Sequence, residues 1–407
     1  MQQQQQQERA CIVGVSRTPF GSFGGVLSKL SAPKLGSAAI KGALQRAGVK
    51  PDEVNEVFMG QVVSAGAGQA PARQASLGAG IPIDVPCTTV NKVCSSGMKA
   101  IMFGAQSIKL GENDVVVCGG FESMSNVPFY SPSTRFGSKF GDASLIDGLA
   151  RDGLRDAYTN EAMGCAGSLC AASAQISRQE QDEYAAASYA RARKATIDGV
   201  FKNEITPLEI PGKRGKTTLV SEDEEPMLRE ITYETLSKLP PAFEPHAKSV
   251  TAGNSSVLSD GAAAVVLASE SYARKHGLPI LAYIDSYADA ANPPEEFTTA
   301  PTKAAHKALA RAGTSVEKMD LFEFNEAFSV VALVNARNLG IPADKINVHG
   351  GAVSIGHPLG ASGARIVMTL ITALERYGKE RGCAAICNGG GGASAMVISR
   401  PTKRAAL

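Results

Sequence analysis

Asp114-Val115-Val116-Val117-Cys118-Gly119-Gly120 is apolar without alternation and stops on two glycines. A half-exposed strand would alternate apolar with polar residues, so this run predicts a short strand buried on both faces. Working outward, residues 98–110 read as the helix before it, and Val85-Pro86-Cys87-Thr88-Thr89-Val90 as an extended segment before that. Further upstream lie a strand over 54–59 ending at Gly60 and a Gly/Ala-rich helical region over 70–79. Before them come a helix over 32–47 with Leu35, Ala39 and Leu44 on one side, closed by Gly48, and a first strand over 11–15. Strand and helix in alternation predict an α/β fold with buried sheets.

Downstream the character changes. From about 123 to 250 the charge rises, residues 178–198 read as a helix with exposed polar faces, and 211–230 as a charged loop. The block is an insertion, either a substrate-facing surface or a solvated excursion. Alternation resumes with strands at 262–268 and 281–288 and a helix over 302–312. Met319 to Phe324 then runs into Asn325-Glu326-Ala327-Phe328 and a helix to Asn338. The chain also echoes itself. Ala384-Ala385-Ile386-Cys387-Asn388-Gly389-Gly390 parallels the opening run, and Asn325-Glu326-Ala327-Phe328 opens a helix much as Asn91-Lys92-Val93-Cys94 does. Related halves flanking an insertion would bring both glycine loops and both helix openings together.

Cys94 stands where a helix begins, among Ser95, Ser96 and Gly97. It is either a packing thiol at a tight turn or a nucleophile whose thiolate the helix dipole favours. His357, in Gly350-Gly351-Ala352-Val353-Ser354-Ile355-Gly356-His357-Pro358, is either a turn residue or an acid/base. A helix is expected from about Ser362. Cys387 precedes four glycines, Gly389 to Gly392, whose N–H groups suit an oxyanion hole or a flexible turn. Neither the P-loop nor the dinucleotide glycine pattern occurs.

The 407 residues carry a net charge of +2, which argues against nucleic-acid or membrane-surface partners. Eight cysteines in so long a chain are too sparse for a disulfide framework and point to a reducing compartment. Cys383 and Cys387 with His349 or His357 come nearest to a metal pattern but lack paired Cys-x-x-Cys knuckles. The run Gln2 to Gln7 lacks signal- or transit-peptide character, and Ala405-Ala406-Leu407 only partly matches a peroxisomal ending, so cytosol is expected.

Together the cysteine turn, Asn325-Glu326-Ala327-Phe328, Gly356-His357-Pro358 and Cys387-Asn388 with its glycines resemble the thiolase family. The match runs from Arg17-Thr18-Pro19-Phe20-Gly21 nearly to the end, and is most similar to the cytosolic, plant-like biosynthetic branch, as at Glu296-Phe297-Thr298-Thr299-Ala300-Pro301. The resemblance implies a five-layered α/β/α/β/α fold of two similar halves. The first would be residues 1–123 completed by about 252–276, the loop domain 124–251, and the second half 277–407. It implies reversible condensation of two acetyl-CoA to acetoacetyl-CoA through an acetyl-cysteine, opening the mevalonate route. The alternative is a degradative 3-ketoacyl-CoA thiolase. Cys94 would be the nucleophile, His357 its base and Cys387 the second base. The N–H groups of Cys94 and Gly389 would hold the acyl oxygen, and His357 with a water on Asn325 the enolate. Ser256, Tyr189 and Lys238 would contact CoA. No cofactor is required. As some relatives bind potassium, Tyr189 with carbonyls around Ala252, Gly253, Ser255 and Val353 would form its site. A homotetramer, a dimer of dimers, is also implied. Two departures stand out: Ala162 replaces the histidine of a common His-Met-Gly, and Ser255 replaces a usual alanine.

Overall fold

The computed structural model describes residues 8–212, 216–243 and 248–401. The first run of elements is β1 (Ala10–Arg17), β2 (Gly21–Ser22), α1 (Ala32–Ala47), β3 (Glu56–Gly60), α2 (Pro71–Gly78), β4 (Cys87–Val90), α3 (Ser96–Lys109) and β5 (Val115–Ser123). The excursion follows, with hairpin strands β6 (Phe129–Tyr130) and β7 (Ile146–Asp147), helices α4 (Met163–Ser173) and α5 (Arg178–Ile197), hairpin strands β8 (Leu208–Pro211) and β9 (Thr217–Val220), and short helices α6 (Glu225–Leu228) and α7 (Tyr233–Leu236). Finally come β10 (Ser259–Ser269), α8 (Glu270–Lys275), β11 (Ala282–Ala291), α9 (Ala300–Arg311), β12 (Leu321–Phe324), α10 (Ser329–Leu339), α11 (Leu359–Arg376), β13 (Arg381–Asn388) and β14 (Gly392–Ser399).

The strands line up as β12-β13-β14-β11-β1-β10-β5-β3-β4. On one side β3 runs parallel to β5, β5 antiparallel to β10, and β10 antiparallel to β1. On the other, β12 runs parallel to β13, β13 antiparallel to β14, and β14 antiparallel to β11. The same pairing sequence recurs, with β5 and β13, the two echoing runs, in equivalent places. The halves meet through β1 and β11, in register only at Cys11–Tyr283 and Ile12–Ala282.

Three apolar clusters set the layers. One holds α1 and α2 against the outer face of the first sheet, and another holds α9 against the outer face of the second. Between the sheets lie α3 and α11, sharing one cluster with both inner faces. That makes helix, sheet, helices, sheet, helix, a five-layered α/β/α/β/α sandwich. The sequence of α11 explains its position. Every residue from Leu359 to Leu374 is buried, so the helix is central, and its one charged side chain there, Arg365, is paired with Glu323 at 2.6 Å. α1 instead buries one stripe through Leu35, Ala39 and Leu44 and stops where Gly48 takes a left-handed φ of 70°.

Two expectations need correction. The stretch 211–230 is not wholly loop, since it contains β9 and α6. Asn325-Glu326-Ala327 stands before α10, and Phe328 is its extended N-cap. Residues 405–407 lie outside the described residues.

Candidate active site

Cys94 lies on the turn from β4 into α3. The residue before it, Val93, has φ 49°, a left-handed conformation that a β-branched side chain resists. Neighbours hold it there. Asn91 Oδ1 accepts the Val93 N–H at 3.0 Å while its amide reaches Val62 O at 3.1 Å, and Ser96 Oγ accepts the Lys92 N–H at 2.8 Å and donates to Val93 O at 2.5 Å. The Cys94 sulfur is faced by two backbone N–H groups, its own and that of Gly389. These donors and the helix start were expected to favour thiolate. Burial outweighs them, and the thiol is pushed up to about 11.

His357 ends the glycine-dense loop, its N–H bonded to Val257 O at 2.9 Å. Nδ1 lies 2.6 Å from Ser362 Oγ, and that hydroxyl donates to Pro358 O at 3.1 Å. With the only hydroxyl proton so committed, Nδ1 carries the ring proton and Nε2 presents a lone pair. Nε2 is 3.5 Å from Asn325 Nδ2. The imidazole was expected to sit near neutral pH. Burial, helped by the charge of Arg365, lowers it to about 3, so it is a neutral acceptor at any working pH.

Cys387 is buried at the end of β13, packed with Ala327, Phe328 and Met163. Burial and then the proximity of Cys94 raise its thiol well above the ordinary range. Asn325 is fully buried, and the next residue, Glu326, fixes its loop by accepting from Tyr184 Oη (2.8 Å), Ser188 Oγ (2.8 Å), Asn347 Nδ2 (3.1 Å) and the Val353 N–H (3.1 Å). Asn325 Oδ1 has no partner among the described residues.

Glycines bring these loops together. A Cβ on Gly97 of α3 would come within 2.8 Å of Gly360 O and 2.9 Å of Ala364 N of α11. Only a side-chain-free crossing lets the helix behind Cys94 touch the helix that follows His357. Glu122, at the end of β5, ties the same region by accepting from Val62 N (3.0 Å), Val63 N (3.2 Å) and Gly360 N (2.9 Å).

A mostly apolar cavity of about 650 Å³ is lined by residues from the apolar clusters that hold the two thiols, though neither thiol is on its wall. Its wall includes Leu154 and Leu258, which pack in the Cys94 cluster, and Met163 and Phe328, which pack on Cys387. Ser256 and Tyr189 line it, as do Ala252, Gly253 and Ser255, while Val353 packs on Tyr189. Lys238 does not line it and is exposed. The Tyr189 phenol is held by Glu225. Tyr189, Glu225, Ala252, Gly253 and Ser255 share the cavity wall, and phenol, carbonyl and carboxylate oxygens are the ligand types a potassium ion would take. Ser255 turns its hydroxyl onto Thr251 O at 2.6 Å, so the usual alanine is replaced without adding a free donor to the cavity.

Sequence reasoning missed Ser362, Glu122 and Glu326. Ser362 could have been suspected as the first hydroxyl on the helix after His357. Glu326 stands inside the Asn325-Glu326-Ala327-Phe328 motif, from which no role was read for it, and Glu122 gave no signal, because its partners are backbone groups distant in sequence.

Comparison with known proteins agrees with this geometry. Residues 10–271 match the thiolase N-terminal domain and 278–400 the thiolase C-terminal domain. Acetyl-CoA acetyltransferase 2 of Arabidopsis thaliana is 55% identical over 95% of this chain and 96% of its own length. The acetyl-CoA acetyltransferase of Schizosaccharomyces pombe is 52% identical over 96% and 98%, and a Gibberella zeae acetyl-CoA acetyltransferase named as cytosolic 52% over 95% and 97%. With both domains matched in order around the paired thiols, the chain belongs to the thiolase family.

Proposed function

We propose that the protein is an acetyl-CoA C-acetyltransferase, joining two acetyl-CoA into acetoacetyl-CoA and CoA. The observation that carries this is the pair of thiols, half-buried Cys94 and buried Cys387, with two backbone N–H groups facing the first and a neutral imidazole in the same set of loops. The names of the relatives support the acetyl substrate.

Proton accounting fixes the order of events. Since thiolate and imidazolium are both costly here, the Cys94 proton passes to His357 Nε2 as sulfur attacks the acetyl carbonyl, not beforehand. The N–H groups of Cys94 and Gly389 take the charge on oxygen. As the C–S bond to CoA breaks, the leaving thiolate takes the proton of Cys387. Cys387 is then the base that removes a methyl proton from the second acetyl-CoA. His357, now protonated, and a water on Asn325 face the enolate oxygen. The enolate carbon attacks the acetyl-cysteine, and Cys94 leaves as thiolate and recovers its proton from His357.

Ser256 and Tyr189 would lie along CoA, and Lys238 would reach the nucleotide end from outside the cavity. A potassium ion held by Tyr189 and carbonyls of Ala252, Gly253, Ser255 and Val353 would rigidify that wall. A homotetramer is supported by the resemblance and by exposed Phe136, Phe140 and Leu145 on the excursion. Cytosolic residence and service to the mevalonate route are supported by the naming of the Gibberella relative.

The test is thiolysis of acetoacetyl-CoA beside 3-ketohexanoyl-CoA and 3-ketopalmitoyl-CoA, with Cys94→Ala as control. Activity on acetoacetyl-CoA alone is expected. Comparable turnover of the long chain would assign the enzyme to fatty-acid degradation, and activity surviving in Cys94→Ala would refute the mechanism.

A further inference from the structure

Lys92 has no part in the chemistry above, yet its side chain runs from the nucleophile turn to the glycine turn of the other half. Its ammonium reaches Ser394 Oγ at 3.0 Å and Asn388 Oδ1, Ala393 O and Asp289 at 3.2 Å each. Asn388 Oδ1 also accepts from Ser95 Oγ at 2.9 Å, and its amide donates to Gly389 O at 2.9 Å. Asp289 takes Lys99 at 2.7 Å and Ser394 Oγ at 2.7 Å from further sides. The residues flanking Cys94 and those flanking Gly389 are therefore joined through one buried amide, with Lys92 on one side of it and Ser95 on the other. Val93, between Lys92 and Cys94, is the strained residue of the turn. A strained conformation persists only where its surroundings over-determine it.

We propose that Lys92 is a positioning residue: its ammonium locks Asn388, so that the Gly389 N–H stays aimed at the Cys94 sulfur while Val93 is kept left-handed. Lys92 touches neither substrate nor reacting atoms. It acts through the Gly389 peptide, and so rests on that N–H serving the acyl oxygen as outlined above. The strut uses cation, amide and hydroxyl together, which makes charge as well as length matter.

The experiment compares Lys92→Met and Lys92→Arg with the parent in two readouts. In steady-state thiolysis of acetoacetyl-CoA, Lys92→Met is expected to lower kcat by about 10- to 100-fold, the scale of a misaligned oxyanion donor, with KM within about threefold. Lys92→Arg should recover most of the loss. The second readout is alkylation of Cys94 by iodoacetamide at pH 8, followed by mass spectrometry. It should slow in Lys92→Met, because the Gly389 N–H that favours thiolate is displaced. Should Lys92→Met fail to fold, Lys92→Gln, which keeps a donor, takes its place with the same expectations. Parent-like kcat per alkylatable thiol, or a loss confined to KM, would overturn the proposal. If the parent itself showed no thiolysis, the functional reading would fall, while the alkylation comparison would still decide the role of Lys92.

Discussion

At Cys94 and His357 the resting enzyme holds a neutral pair, not a thiolate–imidazolium ion pair. With the thiol pushed up to about 11 and the imidazole lowered to about 3, proton transfer from one to the other is strongly uphill until a carbonyl carbon shares the developing charge. The rate of Cys94 alkylation by iodoacetamide should therefore keep rising, close to tenfold per pH unit, from pH 7 to 10. A plateau near pH 7 would show a preformed ion pair. Ser362 belongs to the same account, because its hydroxyl sets the tautomer of His357. Ser362→Ala should cut kcat by about 10- to 100-fold with little change in KM, as expected for general-base work. An unchanged kcat would mean another group orients the ring. The sequence drew attention to Cys94, His357 and Cys387 because each stands beside a glycine-dense or small-residue turn. It could not expose their protonation, which depends on burial by helices and strands far along the chain.

Among the elements, the crossing of α3 and α11 matters most. A Cβ on Gly363 would strike Met98 of α3, backbone included. Gly363→Ala should cost about 1–3 kcal/mol by overpacking, even though alanine is the better helix former. Thermal unfolding checks the stability, and thiolysis should fall more than the stability loss alone accounts for, since the helix start behind Cys94 moves with it. Element boundaries were legible wherever local chemistry sets them. The helix over 32–47 ends at a glycine that takes the left-handed conformation, whereas the buried strand at 115–120 does not stop at its two glycines but continues to Ser123. The hairpin strand β9 was illegible: Thr217, Thr218 and Leu219 are all exposed, so it lacks the one-face burial that writes alternation into a sequence.

For the molecule as a whole, two buried histidines work against folding in acid. His349, stacked on Tyr377 at 5.5 Å, is lowered to about 4 by burial, and His357 to about 3. Between pH 6.5 and these values the unfolded chain binds protons that these two native histidines refuse, so their contribution to native stability falls as pH drops, while Glu122 and Glu323, raised by burial to about 7 and about 8, contribute in the opposite sense. Each histidine would cost about 2 kcal/mol at pH 5 relative to pH 7. The urea midpoint at pH 5, relative to that at pH 7, should be higher in His349→Phe than in the parent. Equal differences would place the acid sensitivity elsewhere. The two-halves architecture was legible from the echo of short runs, whereas the way the excursion attaches was not. It attaches through Arg17 of β1, a fully buried guanidinium that bonds Glu204 at 2.8 Å and both oxygens of Asp223 at 2.6 and 2.8 Å. Removing one partner from a buried ion pair costs roughly 3–5 kcal/mol, because the remaining charge is stranded. The core thus keeps a cation that only the excursion neutralises. No trimmed version of this enzyme, reduced to its two sheets and three helix layers, can be cut out without also replacing Arg17, so the segment that walls the apolar cavity is equally a structural counter-ion.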